Sequence, residues 1–152
     1  MTRARALVPE HVASVEATLA AARACYRRGD LAQAEWLCRA VLSTHPQHAE
    51  AWYRLSRINL RAGLPALAMA FARRALALAP SAPALHRALG DAQWAAGKWT
   101  EAEASVRRAL ALAPDDPDNY LSLAGMLVHD WRLTAGCAAA RRAIALMPVV
   151  SK

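Results

Sequence analysis

RRALALAP fills residues 73–80 and recurs letter for letter at 107–114, 34 positions further on. RRAIALMP at 141–148 and RAVLSTHP at 39–46 keep the spacing, so Pro46, Pro80, Pro114 and Pro148 stand in one register. Four copies without an insertion define an internal repeat. A repeat of this length is one supersecondary unit, which needs its neighbours to bury its apolar face.

The same frame holds further columns. Gly29, Gly63 and Gly97 share one, completed by Trp131. Small residues fill two more: Ala22, Ser56, Gly90 and Ala124, then Ala34, Ala68, Ala102 and Gly136. Large aliphatics fill Leu42, Leu76, Leu110 and Ile144, and also Leu55, Leu89 and Leu123, with Ala21 the exception. A glycine near the middle of each unit and a proline near its end predict two helices of about three to four turns, tightly joined. The small columns then mark where helices approach closely enough for ridges to enter grooves. Asp116 before Pro117 predicts an N-cap with proline in the first helical position, where its missing N–H costs nothing. Thr100 with Glu103 predicts a capping box for the second helix of its unit, and Thr134 occupies the equivalent place.

Composition agrees with an all-α chain. Hydrophobic residues make up 56% but aromatics only 6%, so the apolar content is mostly Ala and Leu, which lose little side-chain entropy in a helix. At 152 residues the chain suits one domain, expected over 15–150 in units 15–48, 49–82, 83–116 and 117–150. Residues 1–14 are expected to extend the first helix, which could run from Pro9 through EHVASVEATLAAARACYRR as one rod of about five turns.

These columns resemble the tetratricopeptide repeat, a 34-residue helix-turn-helix unit, over residues 15–148. AWYRLSRINLRAGLPALAMAFARRALALAP (51–80) is the fullest match, with Trp52, Leu55, Gly63, Ala68, Ala75 and Pro80 in place. The family's usual aromatic is missing from the column Cys25, Asn59, Gln93 and Leu127; His86 replaces the equivalent of Trp52, and Trp131 replaces the turn glycine. The resemblance implies a right-handed superhelical solenoid of stacked antiparallel hairpins. In such proteins the first helices line a concave groove that holds a peptide.

Counted from the small columns, the groove face of those helices carries Arg23, Tyr26 and Arg27, then Tyr53, Arg57 and Arg61, then Arg87, Asp91 and Trp94, then Leu121, Val128 and His129. Arginine offers two-pronged bonds to carboxylates, and Tyr and Trp offer apolar area with a polar edge, so an acidic peptide with hydrophobic anchors is the expected ligand. The chaperone-binding members clamp a terminal carboxylate with Lys, Asn and Arg; the corresponding places here hold Leu19, Arg23, Arg54, Ala84 and Ala88, which disfavours that partner.

Charge supports the same class without naming the ligand. Seventeen Arg and two Lys against 12 acids give a net +7, which points to acidic partners and equally fits genomic codon bias. The outward pairs Arg73/Arg74, Arg107/Arg108 and Arg141/Arg142 are diluted by Glu101, Glu103, Asp115 and Asp116, which disfavours nucleic acid. No phosphate loop, HExxH or GxSxG is present, so the expectation is a non-catalytic module without cofactor or metal; His45 and His48 lack a third ligand. Cys25, Cys38 and Cys137 form no CxxC pair, and Cys25 with Cys38 fits core packing. With no signal-like or membrane-length apolar run, a cytoplasmic protein without a membrane partner is expected.

The last helix, LTAGCAAARRAIALM, has an Ala-rich face that nothing in the sequence covers, so three expectations compete: the sequence belongs to a longer protein, which is favoured, like chains associate through that end, or a partner docks there. Two alternatives to an independent interaction module follow from the resemblance: the N-terminal targeting arm of a glycosyltransferase-like enzyme, and a small bacterial secretion chaperone.

Overall fold

The computed structural model describes residues 14–147, over which the chain forms eight α-helices and no strand. These are α1 (Val15–Arg28), α2 (Leu31–Thr44), α3 (Ala49–Arg61), α4 (Pro65–Leu78), α5 (Pro83–Ala95), α6 (Trp99–Leu112), α7 (Pro117–His129) and α8 (Leu133–Leu146). They pair as antiparallel hairpins, α1 with α2 through α7 with α8, and each hairpin stacks on the next. The backbones of the first helices also approach in sequence, α1 to α3, α3 to α5 and α5 to α7, whereas those of α2, α4, α6 and α8 stay further apart, with Arg39 of α2 reaching the Phe71 ring of α4 at 5.9 Å. The stack is therefore closed on the side of the first helices and splayed on the other, which curves it around α1, α3, α5 and α7.

The small columns set the spacing. Ala34, Ala68 and Ala102 are fully buried where the two helices of a hairpin cross. A Cβ at Gly90 would fall 2.7 Å from Val106 Cγ2, and one at Gly136 would fall 2.7 Å from Val128 Cγ2, so only glycine fits at these two crossings. At two of the four places where the usual aromatic is missing, Asn59 and Gln93, a buried polar side chain takes over, and Ser56 adds a third buried bond. Buried Asn59 donates Nδ2 to Leu55 O at 2.9 Å, Ser56 Oγ donates to Ala68 O at 2.9 Å, and Ser105 Oγ donates to the Oε1 of Gln93 at 2.7 Å. None of these buried side chains is left without a partner. Cys25 and Cys38 belong to the core of the first two hairpins, and burial pushes the Cys38 thiol up to about 11.

All four hairpin turns share one backbone design. The residue in the left-handed conformation donates to the carbonyl three residues back, and the next N–H reaches five residues back: Gly63 N to Leu60 O at 3.1 Å and Leu64 N to Asn59 O at 2.9 Å, for example. Gly29, Gly63 and Gly97 have φ of 86°, 76° and 75°. Trp131 adopts φ 56° and keeps both bonds, to Val128 O at 3.2 Å and from Arg132 N to Leu127 O at 2.9 Å. The last hairpin thus has the geometry of the others despite its bulky turn residue.

Helix starts depart from expectation at two places. Asp116 caps α7 as predicted, its Oδ1 accepting from Asp118 N at 2.9 Å ahead of Pro117. Thr100 and Thr134 cap nothing, because α6 begins at Trp99 and α8 at Leu133, one residue earlier. Two residues after the left-handed position the chain is already helical, so the cap falls on the column Asp30, Leu64, Lys98 and Arg132. Only Asp30 there has an accepting side chain, bonded to Gln33 N at 3.1 Å. Glu103 bonds to Arg107 and Arg132 instead of to backbone. Of the single rod expected from Pro9, the described part starts at Val15, with Ser14 Oγ accepting from Ala17 N; residues 1–13 lie outside the described residues, as does 148–152.

His86 does replace Trp52 functionally. Trp52 Nε1 donates to Pro46 O at 2.8 Å and His86 Nε2 donates to Pro80 O at 2.8 Å, the same bond one unit apart. At the other end, the column of large aliphatics runs from 9% exposure at Leu42 to 68% at Ile144, since among the described residues no helix follows α8.

Candidate functional site

Four of the twelve predicted groove residues, Tyr26, Tyr53, Arg57 and Arg87, line one hollow on the inner wall of the curve. That concavity is lined by Ala22 and Tyr26 of α1, Tyr53, Arg54, Arg57 and Ile58 of α3, Arg87 of α5 and Asp118 of α7. A single surface thus draws on all four first helices. Arg23 lies beside it in a second hollow, with Glu16, Leu19, His48 and Glu50.

Ion pairs between units were not foreseen. Arg57 Nη1 bonds to Asp91 Oδ2 at 3.0 Å, one repeat away in the same column. Arg87 Nη1 donates to Asp116 Oδ2 at 3.1 Å and to the side-chain Oδ1 of Asn119 at 3.2 Å, while its Nη2 faces Asp118 at 3.4 Å. Arg54 pairs with Glu50 at 2.6 Å. The central arginines, which sequence alone presents as carboxylate receptors, are therefore already engaged with acids of their own chain. Opposite charges in adjacent rungs of one column, Arg57 and Asp91, were the signal that could have shown this.

Burial shapes the electrostatics of this pair. Burial raises the Asp91 carboxyl above the ordinary carboxylate range, and Arg57, the Ser122 hydroxyl and Arg87 offset it only in part. Burial likewise opposes the Arg57 charge, yet Tyr53, Asp91 and Tyr26 raise its pKa above the usual guanidinium value.

A second regular contact joins the units along the edge of the wall. Arg61 places its guanidinium 5.0 Å from the Tyr26 ring centroid and donates to Tyr26 O. Two repeats on, His129 takes the same position over Trp94, edge-on at 4.8 Å, and stacks on Trp99 at 5.0 Å. A guanidinium at one place and an imidazole at the other thus sit on the preceding unit's aromatic. Trp94 is partly buried in this cluster. Arg23, Arg27 and Arg61 differ from Arg57 and Arg87: all three are exposed and have no acidic partner among the described residues, and of the three Arg61 is held against α1 by Tyr26.

The charge along the wall is accordingly uneven. Its α1 end carries unpaired guanidinium groups, its middle is internally neutralised, and its α7 end is apolar, with Leu121 and Val128 exposed on either side of Gly125. Among the described residues no group of three His, Cys, Asp or Glu side chains could hold a metal ion, and no helix is long and apolar enough to cross a membrane. His48, considered above as a ligand, instead caps α3 by accepting from Ala51 N through Nδ1 at 3.3 Å.

Comparison with known proteins agrees with this architecture. Two sequence profiles, each described as a tetratricopeptide repeat, match residues 19–83 and 59–127. The sequence has no match among curated proteins. A thermophilic tetratricopeptide-repeat protein of Thermus thermophilus superposes with a TM-score of 0.85 at 23% identity, over 93% of this chain and 78% of that one. MamA of Desulfovibrio magneticus RS-1 gives 0.73 at 21% identity over 88% and 75%. A mutant O-GlcNAc transferase of Thermobaculum terrenum gives 0.74 at 30% identity; there the match covers 80% of this chain but only 23% of the transferase. The chain belongs to the tetratricopeptide-repeat family, as four tandem 34-residue units with the build of a protein-interaction scaffold.

Proposed function

We propose that the four units, 15–48, 49–82, 83–116 and 117–150, act as one non-catalytic domain that holds an extended acidic segment of another protein against its concave wall. The observation that carries this reading is a concavity built from all four first helices, on whose α1 side Arg23 and Arg27 are exposed without an acidic partner among the described residues. In this reading Arg23 and Arg27 take the ligand carboxylates, and Tyr26 and Tyr53 supply flat apolar walls with polar edges. Arg57, Arg87 and Asp91 hold the wall in shape through their mutual pairs, Arg61 fixes Tyr26, and Trp94 borders the apolar end. The module works in the cytoplasm, needs no cofactor and binds neither membrane nor nucleic acid.

The test is fluorescence anisotropy with a fluorescein-labelled peptide carrying a triple-glutamate block and one leucine. Charge reversal at two exposed positions, Arg23→Glu with Arg27→Glu, is expected to weaken binding about tenfold or more while helical circular dichroism stays unchanged. Equal affinity for a peptide with glutamine in place of glutamate would defeat the proposal. Arg57→Glu is not a clean probe, since it would set a second acid against the partly buried Asp91.

A second reading, the targeting arm of a larger glycosyltransferase-like enzyme, is favoured by the 30% identity to a segment of O-GlcNAc transferase. Co-purification of transferase activity with the native full-length gene product from its source cell would support it.

A further inference from the structure

Gly125 lies in the middle of α7, in an ordinary helical conformation, where glycine weakens the helix. Gly90 and Gly136 have a steric reason, a valine methyl 2.7 Å from any added Cβ; at Gly125 an added Cβ would meet nothing within 4 Å. Neither packing nor backbone explains it. Leu121 and Val128, four residues before and three after, stand on the same helix face, 43% and 47% exposed. In the repeat frame Gly125 is the rung after Arg23, Arg57 and Asp91. Where α3 and α5 fill that rung with a bonded ion pair, α7 leaves open ground between two apolar side chains.

Building on the groove reading, we infer that Leu121, Gly125 and Val128 form a seat for one large apolar side chain of the bound segment, whose acidic part lies over Arg23 and Arg27. The charge distribution selects this occupant: the wall's guanidinium groups without an acidic partner are Arg23 and Arg27 on α1 and Arg61, which lies against Tyr26 of α1, so a ligand lying along the wall needs its acids there and its apolar residue at the α7 end. The spacing follows from the packing. Helices α1, α3, α5 and α7 touch in succession, and three interhelix steps of about 8–10 Å make roughly 24–30 Å. An extended chain covers that in about seven to nine residues.

Two variants separate the seat from the fold. Gly125→Ala, with a free Cβ, is expected to raise the melting temperature, and Gly125→Leu fills the seat. The probes are fluorescein-labelled peptides with a triple-glutamate block and a leucine about eight residues away, in both chain directions, with serine-for-leucine controls and a version whose spacing is about three. For the wild type, the better-oriented leucine peptide is expected to bind about tenfold tighter than its serine control and than the short-spaced version. Gly125→Leu should erase that advantage and leave the serine peptide unaffected, while Arg23→Glu with Arg27→Glu weakens both. If no peptide binds the wild type, the groove reading falls and the seat with it. If the leucine peptide binds but Gly125→Leu leaves it unchanged, or the short spacing binds as well, the seat is refuted and the groove stands. If light scattering shows a wild-type dimer that Gly125→Leu dissociates, the occupant is a second copy of the chain and the inference is overturned.

Discussion

Trp131 offers a direct measure of what one turn costs. It holds φ 56° where the other three hairpins have glycine, and it is 86% exposed, so its ring has little packing to lose. The left-handed conformation costs an ordinary residue about 1–2 kcal/mol. Glycine gives back roughly 0.5–1 kcal/mol through its greater freedom in the unfolded chain. Trp131→Gly should therefore stabilise by about 0.5–1 kcal/mol. With a urea slope of about 1.5 kcal/mol/M, the midpoint rises by roughly 0.3–0.7 M. Because a stacked array opens from its ends, the gain belongs mainly to α7 and α8 and should also appear as slower amide hydrogen exchange there. Trp131→Ala is the control: it removes the ring and keeps the strain, so its midpoint should stay near that of the wild type. A lower midpoint for Trp131→Gly would refute the reasoning, since it would mean that the exposed ring contributes more than the turn costs.

Three further outcomes follow from the packing and the charges. Gly90→Ala should destabilise by about 1–3 kcal/mol in chemical denaturation, because its Cβ meets Val106, whereas Gly125→Ala should stabilise by about 0.8 kcal/mol. Asp91 has a raised pKa when folded, so its contribution to stability is fully present below the unfolded value near 3.8 and fades as pH rises through the folded one; Asp91→Asn should remove that component from a plot of unfolding free energy against pH, and an unchanged plot would count against burial as its cause. An aromatic disulfide reagent should titrate one fast thiol, Cys137, in the native protein and all three in denaturant, with Cys38 slowest to react natively since its thiol is raised to about 11.

The repeat architecture was legible because helix packing constrains single columns. Close crossings need small residues, a left-handed turn favours glycine and a helix end tolerates proline, and each demand recurs every 34 residues. The inner wall was legible for the same reason: helical periodicity alone assigns Tyr26, Tyr53, Arg57 and Arg87 to one side. What those residues touch was not. Arg57 and Asp91 lie a full repeat apart, and Arg87 meets Asp116 across 29 positions, so their pairing depends on the rise and curvature of the stack, which no single unit encodes. The capping box at Thr100 failed on a local matter: the chain re-enters the helix sooner after the left-handed residue than the Thr100–Glu103 spacing suggests.

The bond from Trp52 to Pro46, repeated from His86 to Pro80, has a consequence for how such units tolerate change. The inter-unit loop needs a ring nitrogen bearing hydrogen at a fixed reach from that carbonyl, and indole and imidazole both supply one. A phenyl ring of similar bulk would leave the proline carbonyl to water, which makes hydrogen-bonding reach, rather than size, the property a substitution must preserve there.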